Sequence, residues 1–425
     1  MMSTQSTFSP TRTTLGRSIT VAAAALLAVP AAGQPTEPTV FVVNNVSDDV
    51  STFTMNDDGT LNFIGIYAAS EGPQAATVTP DGRYLAVAHG TGDNVTEILH
   101  IFAVNPDASL SLAHTTLVPD SPLATKWLTD DMLAVIETSL SGPNFVHSYR
   151  FDPDAPELLL IDSAQTGSFS TSLAVHPKLD VLYAQDSTYN SISAFAFDAD
   201  GNLSALDQIS TGGIYPLDLV VTGNGGHLYA GGGISGGGHA IVGCDVTDTG
   251  GLKLLEDSPF FSPGQSPAYT AVSSDSSILF VGHGTDATVG SFLIDGSGSL
   301  TSTGFSFDVG MQGTVGDLQV LGDYLLVTDE SAALDGITGL YSFLVKPSGV
   351  FVAVADIYDT LGVRPEAIVV WDPPVMGDAT GDGVVDVLDL LLVLSEWGAD
   401  DSPADVNHDG IVDVLDLLLV LGSWT

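Results

Sequence analysis

The sequence predicts an all-β seven-bladed propeller followed by a small α calcium-binding module. Three observations carry that prediction. The region from about 39 to 373 is rich in Val, Gly, Ser, Thr and Asp, alternates apolar and polar residues, and repeats every 45 to 50 residues. A period of that size with several strands per unit is the signature of a propeller. Turn signatures recur seven times along it, and the last 48 residues hold one acidic twelve-residue loop written twice.

The first 33 residues read as a secretion signal. Arg12 and Arg17 precede a short apolar run over residues 19–29, and Ala31-Ala32-Gly33 is a small-residue exit. The run is too short to span a bilayer. A secreted, extracellular or envelope location is expected, with no membrane span after processing. Cys244 is the single cysteine, so no intramolecular disulfide can form.

The clearest blade unit is Pro73-Gln-Ala-Ala-Thr-Val-Thr-Pro-Asp-Gly-Arg-Tyr-Leu-Ala-Val-Ala-His89, a strand, a tight turn and a strand. Residues 96–104 and 110–118 supply a third and a fourth. A turn after the third strand recurs as Asn56-Asp-Asp-Gly, Asn105-Pro-Asp, Asp152-Pro-Asp, Asp198-Ala-Asp-Gly, Asp248-Thr-Gly-Gly, Asp295-Gly-Ser-Gly and Lys346-Pro-Ser-Gly. These are hairpin turns by composition, and their Asp residues are expected to serve the turn rather than a metal. The first unit, residues 40–69, lacks an initial strand, while residues 364–371 form an orphan one. Joining them closes a ring over 39–371 and removes its open edge. Residues 372–377, with Pro373-Pro374, form a stiff linker into the module at 378–425.

In that module, twelve of the thirteen residues from Asp382 to Leu394 recur identically from Asp409 to Leu421. A calcium loop supplies oxygens from positions 1, 3, 5, 7, 9 and 12, with Gly at 6 for the turn. The first copy offers Asp378, Thr380, Asp382, the Val384 carbonyl, Asp386 and Asp389, with Gly383. The second offers Asp405, Asn407, Asp409, the Ile411 carbonyl, Asp413 and Asp416, with Gly410. Two Ca2+ sites are expected. Helices over 386–397 and 413–424 follow, too short to be stable alone, so the ions would contribute to folding. Trp397 and Trp424 are either core or an exposed docking surface.

Charge narrows the partners. The chain has 52 acidic residues against 9 Lys and Arg, a net charge of -43. Such a surface repels nucleic acid and anionic lipid and favours cations.

A duplicated loop-plus-helix unit with Asp at position 12 resembles the type I dockerin module of secreted glycan-degrading systems. That resemblance implies a cohesin-like or cell-surface protein as partner, with extracellular polysaccharide catabolism as the setting. Loop positions 10 and 11, which help contact cohesin in that family, are Val387-Leu388 and Val414-Leu415 here, apolar where better-known members are small and polar.

Strands such as Thr39-Val-Phe-Val-Val-Asn44, with Asp-Gly turns, resemble the lactonase-like propellers, which include 6-phosphogluconolactonase, carboxymuconate cyclising enzymes and Tyr-Val-Thr-Asn surface repeats. The enzyme branch carries a Pro-His-x-His stretch at a blade entry. The entries Ser168-Phe-Ser-Thr-Ser-Leu173, Gly213-Ile-Tyr-Pro-Leu-Asp218 and Gln265-Ser-Pro-Ala-Tyr269 hold no His, so no catalytic residue carries over. One constellation comes from the residues themselves. Second strands end at Asn44, His89, Glu137, Gln185, Gly231, His283 and Asp329, expected to ring the channel. Of these, His89, Glu137, His283 and Asp329 could run acid–base chemistry or bind a metal. The reading is therefore a binding or scaffold propeller, holding a glycan or small molecule and tethered by its module. The alternative is a lactonase-type hydrolase acting in the channel.

Overall fold

The computed structural model describes residues 34–90, 97–138, 144–155, 158–234, 238–310, 314–330, 339–380, 384–400, 402–407 and 410–424. The expected leader, Asp382, Gly383 and Asp409 lie outside these residues. Seven antiparallel sheets are present, five of four strands and two of five. Their inner strands are Pro365–Trp371 (blade 1), Pro73–Val78, Ser121–Trp127, Leu173–Val175, Ile214–Val221, Pro267–Val272 and Val315–Leu321 (blade 7).

Burial differs by layer, and the sequence pattern follows it. Second strands are packed on both faces: Thr39–Asn44, Met132–Thr138, Val181–Asp186 and Ile278–His283 are buried at every position. A strand covered twice reads as a continuous run rather than an alternation. Outer strands such as Leu61–Ala68 alternate, because one face meets solvent.

The propeller core is divided into seven seams. Each of seven apolar clusters joins two neighbouring blades: Phe41, Leu85 and Trp371 join blades 1 and 2, and Val40, Phe53 and Leu326 join blades 1 and 7. The turns after the third strands lock these seams. The carbonyls of Gly59, Gly201, Gly250, Gly298 and Gly349 accept hydrogen bonds from Ser342, Ser148, Tyr183, Tyr229 and Ser291 of the preceding blade. All five glycines have φ between 78° and 87°, a region that only glycine enters without cost. The turn Asp residues cap their own turns, as when Asp295 Oδ1 accepts from the Ser297 and Ser299 N–H groups.

The ring closes through its two chain ends. Pro365–Trp371 pairs antiparallel with Thr39–Asn44, in register from Thr39↔Trp371 to Val43↔Ala367. Trp371 is 5% exposed, and its Nε1 donates to the Pro80 carbonyl at 3.2 Å.

The C-terminal module holds two helices, α1 (Val387–Ser395) and α2 (Val414–Gly422), shorter than the sequence expects. Asp386 and Asp413 cap them in reciprocal capping boxes with Asp389 and Asp416. Val385, Val393, Val412 and Val420 form a small core between the copies. Trp397 and Trp424 lie beyond the helix ends, 50% and 45% exposed. Their place as core is thus overturned: with cores this small, the short valines fill the interior and leave the large rings outside.

Candidate active site in the central channel

The seven inner strands wall a channel of about 980 Å³. Most begin with Pro or Val and then bulge by one residue. The register shifts between Pro73 and Ala75, Pro122 and Ala124, Pro216 and Asp218, Pro267 and Tyr269, and Val315 and Leu318. A bulge re-aims side chains without breaking the strand. Next to these bulges the wall carries Asp218, Tyr269, Asp317 and Glu366, with Lys126 also in the lining.

Asp218 and Asp317 occupy equivalent positions in blades 5 and 7. Asp218 Oδ2 accepts from the Thr270 N–H and hydroxyl, both at 2.8 Å, and its Oδ1 accepts from Ser172 Oγ at 2.6 Å. It therefore ties blade 5 to the inner strands on either side. Asp317 Oδ2 accepts from the Ile368 N–H at 2.8 Å, linking blade 7 to blade 1. Burial pushes both carboxyls up, Asp317 to about 7, and the charge of Asp218 adds to the effect on Asp317 while Lys126 opposes it.

Glu366 and Arg364 sit where the chain re-enters blade 1. Arg364 has φ +62°, a left-handed conformation that costs energy for any residue with a Cβ and recurs at functional sites. Its Nε and Nη2 both reach Glu330 Oε1 at 2.5 Å, its Nη1 reaches Asn45 Oδ1 at 3.4 Å, and its Nε lies 3.7 Å from Glu366 Oε2. A guanidinium has five donors, so donor capacity remains. Glu366 is 26% exposed along its side chain. Its Oε2 is buried with no hydrogen-bond partner among the described residues. Burial pushes its carboxyl up to about 7, against the pull of Arg364. Burial, then the charges of Glu330, Asp317, Glu366 and Asp218, also push the Tyr269 phenol up, which places that ring among all four carboxylates.

The four candidates from sequence lie elsewhere. His89, Glu137, His283 and Asp329 end second strands, one layer out from the channel wall, and are 0%, 2%, 1% and 6% exposed. Their partners belong to their own blades or the loops entering them. His89 Nδ1 pairs with the Ser70 carbonyl at 3.0 Å, and its ring meets His100 edge-on at 4.6 Å. Burial, then His100, pulls His89 down to about 3. Glu137 accepts from the Tyr149 hydroxyl at 2.5 Å, and burial pushes it up to about 7. His283 pairs with Ser262 Oγ at 2.7 Å and with Thr288, and burial pulls it down. Asp329 Oδ1 accepts from the Thr314 N–H at 3.3 Å.

The register also corrects two ring members. In blades 2 to 6 the first-turn hydrogen bond runs to the carbonyls of Tyr84, Met132, Val181, His227 and Ile278. Five residues on stand His89, Glu137, Asp186, Gly232 and His283, so Gln185 and Gly231 fall one residue short. A one-residue slip turns a strand side chain to the other face. Three of the residues that face the channel stand at the starts of inner strands, in Pro216-Leu-Asp218, Pro267-Ala-Tyr269 and Arg364-Pro-Glu366. None of them is the His that the family's blade-entry stretch carries.

Among known proteins, the family profile described as Lactonase, 7-bladed beta-propeller matches residues 13–126 and 134–235. The chain belongs to the seven-bladed lactonase family. No curated relative matches it. Solved structures with the same fold include the periplasmic gluconolactonase PpgL of Pseudomonas aeruginosa. It is 18% identical, with a TM-score of 0.65, covering 79% of this chain and 99% of that one. A protein from Bacteroides uniformis described as a candidate 6-phosphogluconolactonase is 16% identical, with a TM-score of 0.67, covering 79% and 99%. A similarly described protein from Bacteroides fragilis is 17% identical, with a TM-score of 0.65, covering 79% and 98%. At these identities the lactonase neighbours speak for the fold alone.

In the described part of the C-terminal module, loop ends converge. Thr380 donates from N and Oγ1 to Asp389 Oδ1, both at 2.9 Å, and its Oγ1 lies 3.3 Å from Asp378 Oδ1. Asp405 Oδ2 accepts from the Gly410 N–H at 2.8 Å, and Asp416 from the Asn407 N–H at 3.1 Å. Positions 1, 3 and 12 of the first loop thus meet through hydrogen bonds to one another. Among the described residues, no three His, Cys, Asp or Glu side chains form a group that could hold a metal ion.

Proposed function

We propose that the protein hydrolyses an uncharged or cationic lactone in its central channel. The observation that supports this most is Glu366, a carboxyl held near neutrality beside Arg364 at the channel of a lactonase-family propeller. Its carboxylate takes a proton from water as the water oxygen bonds to the lactone carbonyl carbon. Arg364 faces the negative charge that develops on the carbonyl oxygen. The ring C–O bond then breaks, Glu366 returns the proton to the leaving alkoxide, and a hydroxy acid results. A base titrating near the working pH is the efficient choice for this transfer.

Substrate charge follows from the wall. Among the described residues the lining holds Asp218, Asp317 and Glu366 against Lys126, with Arg364 and Glu330 paired beside it, so a phosphate would meet net repulsion. Glucono-1,5-lactone should be turned over with a kcat/KM about tenfold or more above that of its 6-phosphate. Preference for the phosphate would overturn the charge argument, and turnover of neither would overturn the hydrolytic reading.

The second half of the proposal concerns the C-terminal module. Two Ca2+ ions would be held by Asp378, Thr380, Asp382, Val384, Asp386 and Asp389, and by Asp405, Asn407, Asp409, Ile411, Asp413 and Asp416. The module would tether a secreted propeller to a cohesin-like or cell-surface protein. The convergence of Asp378, Thr380 and Asp389 supports it. Titrating full-length protein with calcium should saturate at two ions by calorimetry. Asp389→Ala with Asp416→Ala should abolish binding and leave the propeller's melting transition unmoved. Undiminished calcium binding in the double variant would rule these loops out.

A further inference from the structure

A second cleft lies at the rim, between blades 3 and 4, with a volume of about 710 Å³. Its chemistry differs from that of the rest of the surface. The molecule carries 52 carboxylates, yet this cleft is lined by one acid, Asp186, beside Tyr189 and the amides and hydroxyls of Gln165, Gln208, Ser168 and Ser210. Asp186 is 1% exposed and already engaged: its Oδ1 accepts from the Thr188 and Tyr189 N–H groups at 2.9 and 3.1 Å, and its Oδ2 from the Ser168 N–H at 3.2 Å. The carboxylate is therefore buried and its oxygens are taken up by backbone donors rather than open to the cleft. Gly167 makes this possible, since a Cβ there would fall 1.4 Å from Asp186 Oδ2.

Two further features point to a ligand. Tyr189 is 70% exposed, a largely open aromatic ring in the cleft lining. Thr166, in the cleft wall, is 8% exposed, and its hydroxyl has no hydrogen-bond partner among the described residues. An unsatisfied hydroxyl in a wall is costly unless something completes it.

We propose that this cleft binds a neutral carbohydrate. A pyranose presents C–H groups on one face, which stack on a tyrosine ring, and hydroxyls around its edge, which match neutral amides and hydroxyls as both donors and acceptors. A cation would find no open carboxylate here, and an anion no base. The site is separate from the channel, and its reading is independent of lactone hydrolysis.

Affinity electrophoresis of the full-length protein, in gels containing laminarin, galactomannan or xylan, tests it. At least one polysaccharide should retard the wild type, and Tyr189→Ala should weaken that retardation about tenfold. Gln208→Ala, which spares the aromatic ring, should also weaken it, and both variants should keep the wild-type melting temperature. Retardation by none of the three gels, or equal retardation of wild type and both variants, would overturn the proposal.

Discussion

Glu366→Gln should lower lactone hydrolysis by about two to four orders of magnitude, the usual worth of a positioned general base. The amide fills the same space beside Arg364 but cannot accept the proton from water. In the wild type, kcat should rise with pH through about 7, where Glu366 ionises, and that limb should vanish in the variant. Stability should move the other way. The carboxyl of Glu366 binds its proton more tightly folded, at about 7, than its ordinary value of 4.5. The folded state therefore holds more protons between those values, and stability falls as pH rises from about 4.5 to 7. Glu366→Gln removes that loss. It should be more stable than wild type at pH 8, by up to about 3 kcal/mol, and no more stable at pH 4. Denaturant titrations at the two pH values, beside a pH–rate profile, measure both effects. A variant with full activity and an unchanged pH profile would remove Glu366 from the chemistry.

Trp371→Ala should destabilise the propeller by about 3 to 5 kcal/mol, as loss of a large buried aromatic does. The position amplifies the loss, because Trp371 sits on the strand that closes the ring. Its backbone pairs with Thr39, its indole donates to Pro80, and its ring packs in the seam between blades 1 and 2. Gly82 lies so close that a Cβ there would sit 2.2 Å from that indole. Removing the ring loosens the two chain ends together, so unfolding should be faster and begin at blade 1. Hydrogen exchange should then show blade 1 losing protection first. Uniform loss across all blades would mean that closure is not the weak point.

Much of this architecture is legible in the chain. The recurring turns after the third strands announce a fixed period, and five of them place a glycine whose carbonyl locks a seam, Gly59, Gly201, Gly250, Gly298 and Gly349. Residues 364–371 read as an unpaired strand, and Pro365–Trp371 pairs with Thr39–Asn44. The acidic loops also stand out in the sequence, since ligand spacing is local and a twelve-residue loop encodes its own donors.

The site is legible in type and not in place. Titratable strand ends such as His89 and His283 draw attention because His is chemically versatile. Strand-end chemistry alone cannot say which strand of a blade is innermost, nor whether a side chain is already satisfied within its own blade. Asp218, Asp317 and Glu366 look like ordinary acids in a chain that has 52 of them. What sets them apart is convergence from blades 5, 7 and 1, over 148 residues of chain from Asp218 to Glu366.

By itself, then, the sequence determined the number of blades, their closure and the duplicated acidic loop, because each is written as a short-range pattern or an exact repeat. Only the tertiary structure decided which acids line the channel, which are raised toward neutrality and which tie neighbouring blades. The reason is physical: desolvation and charge coupling depend on what surrounds a carboxyl in three dimensions, and seven strands far apart in the chain supply those surroundings together.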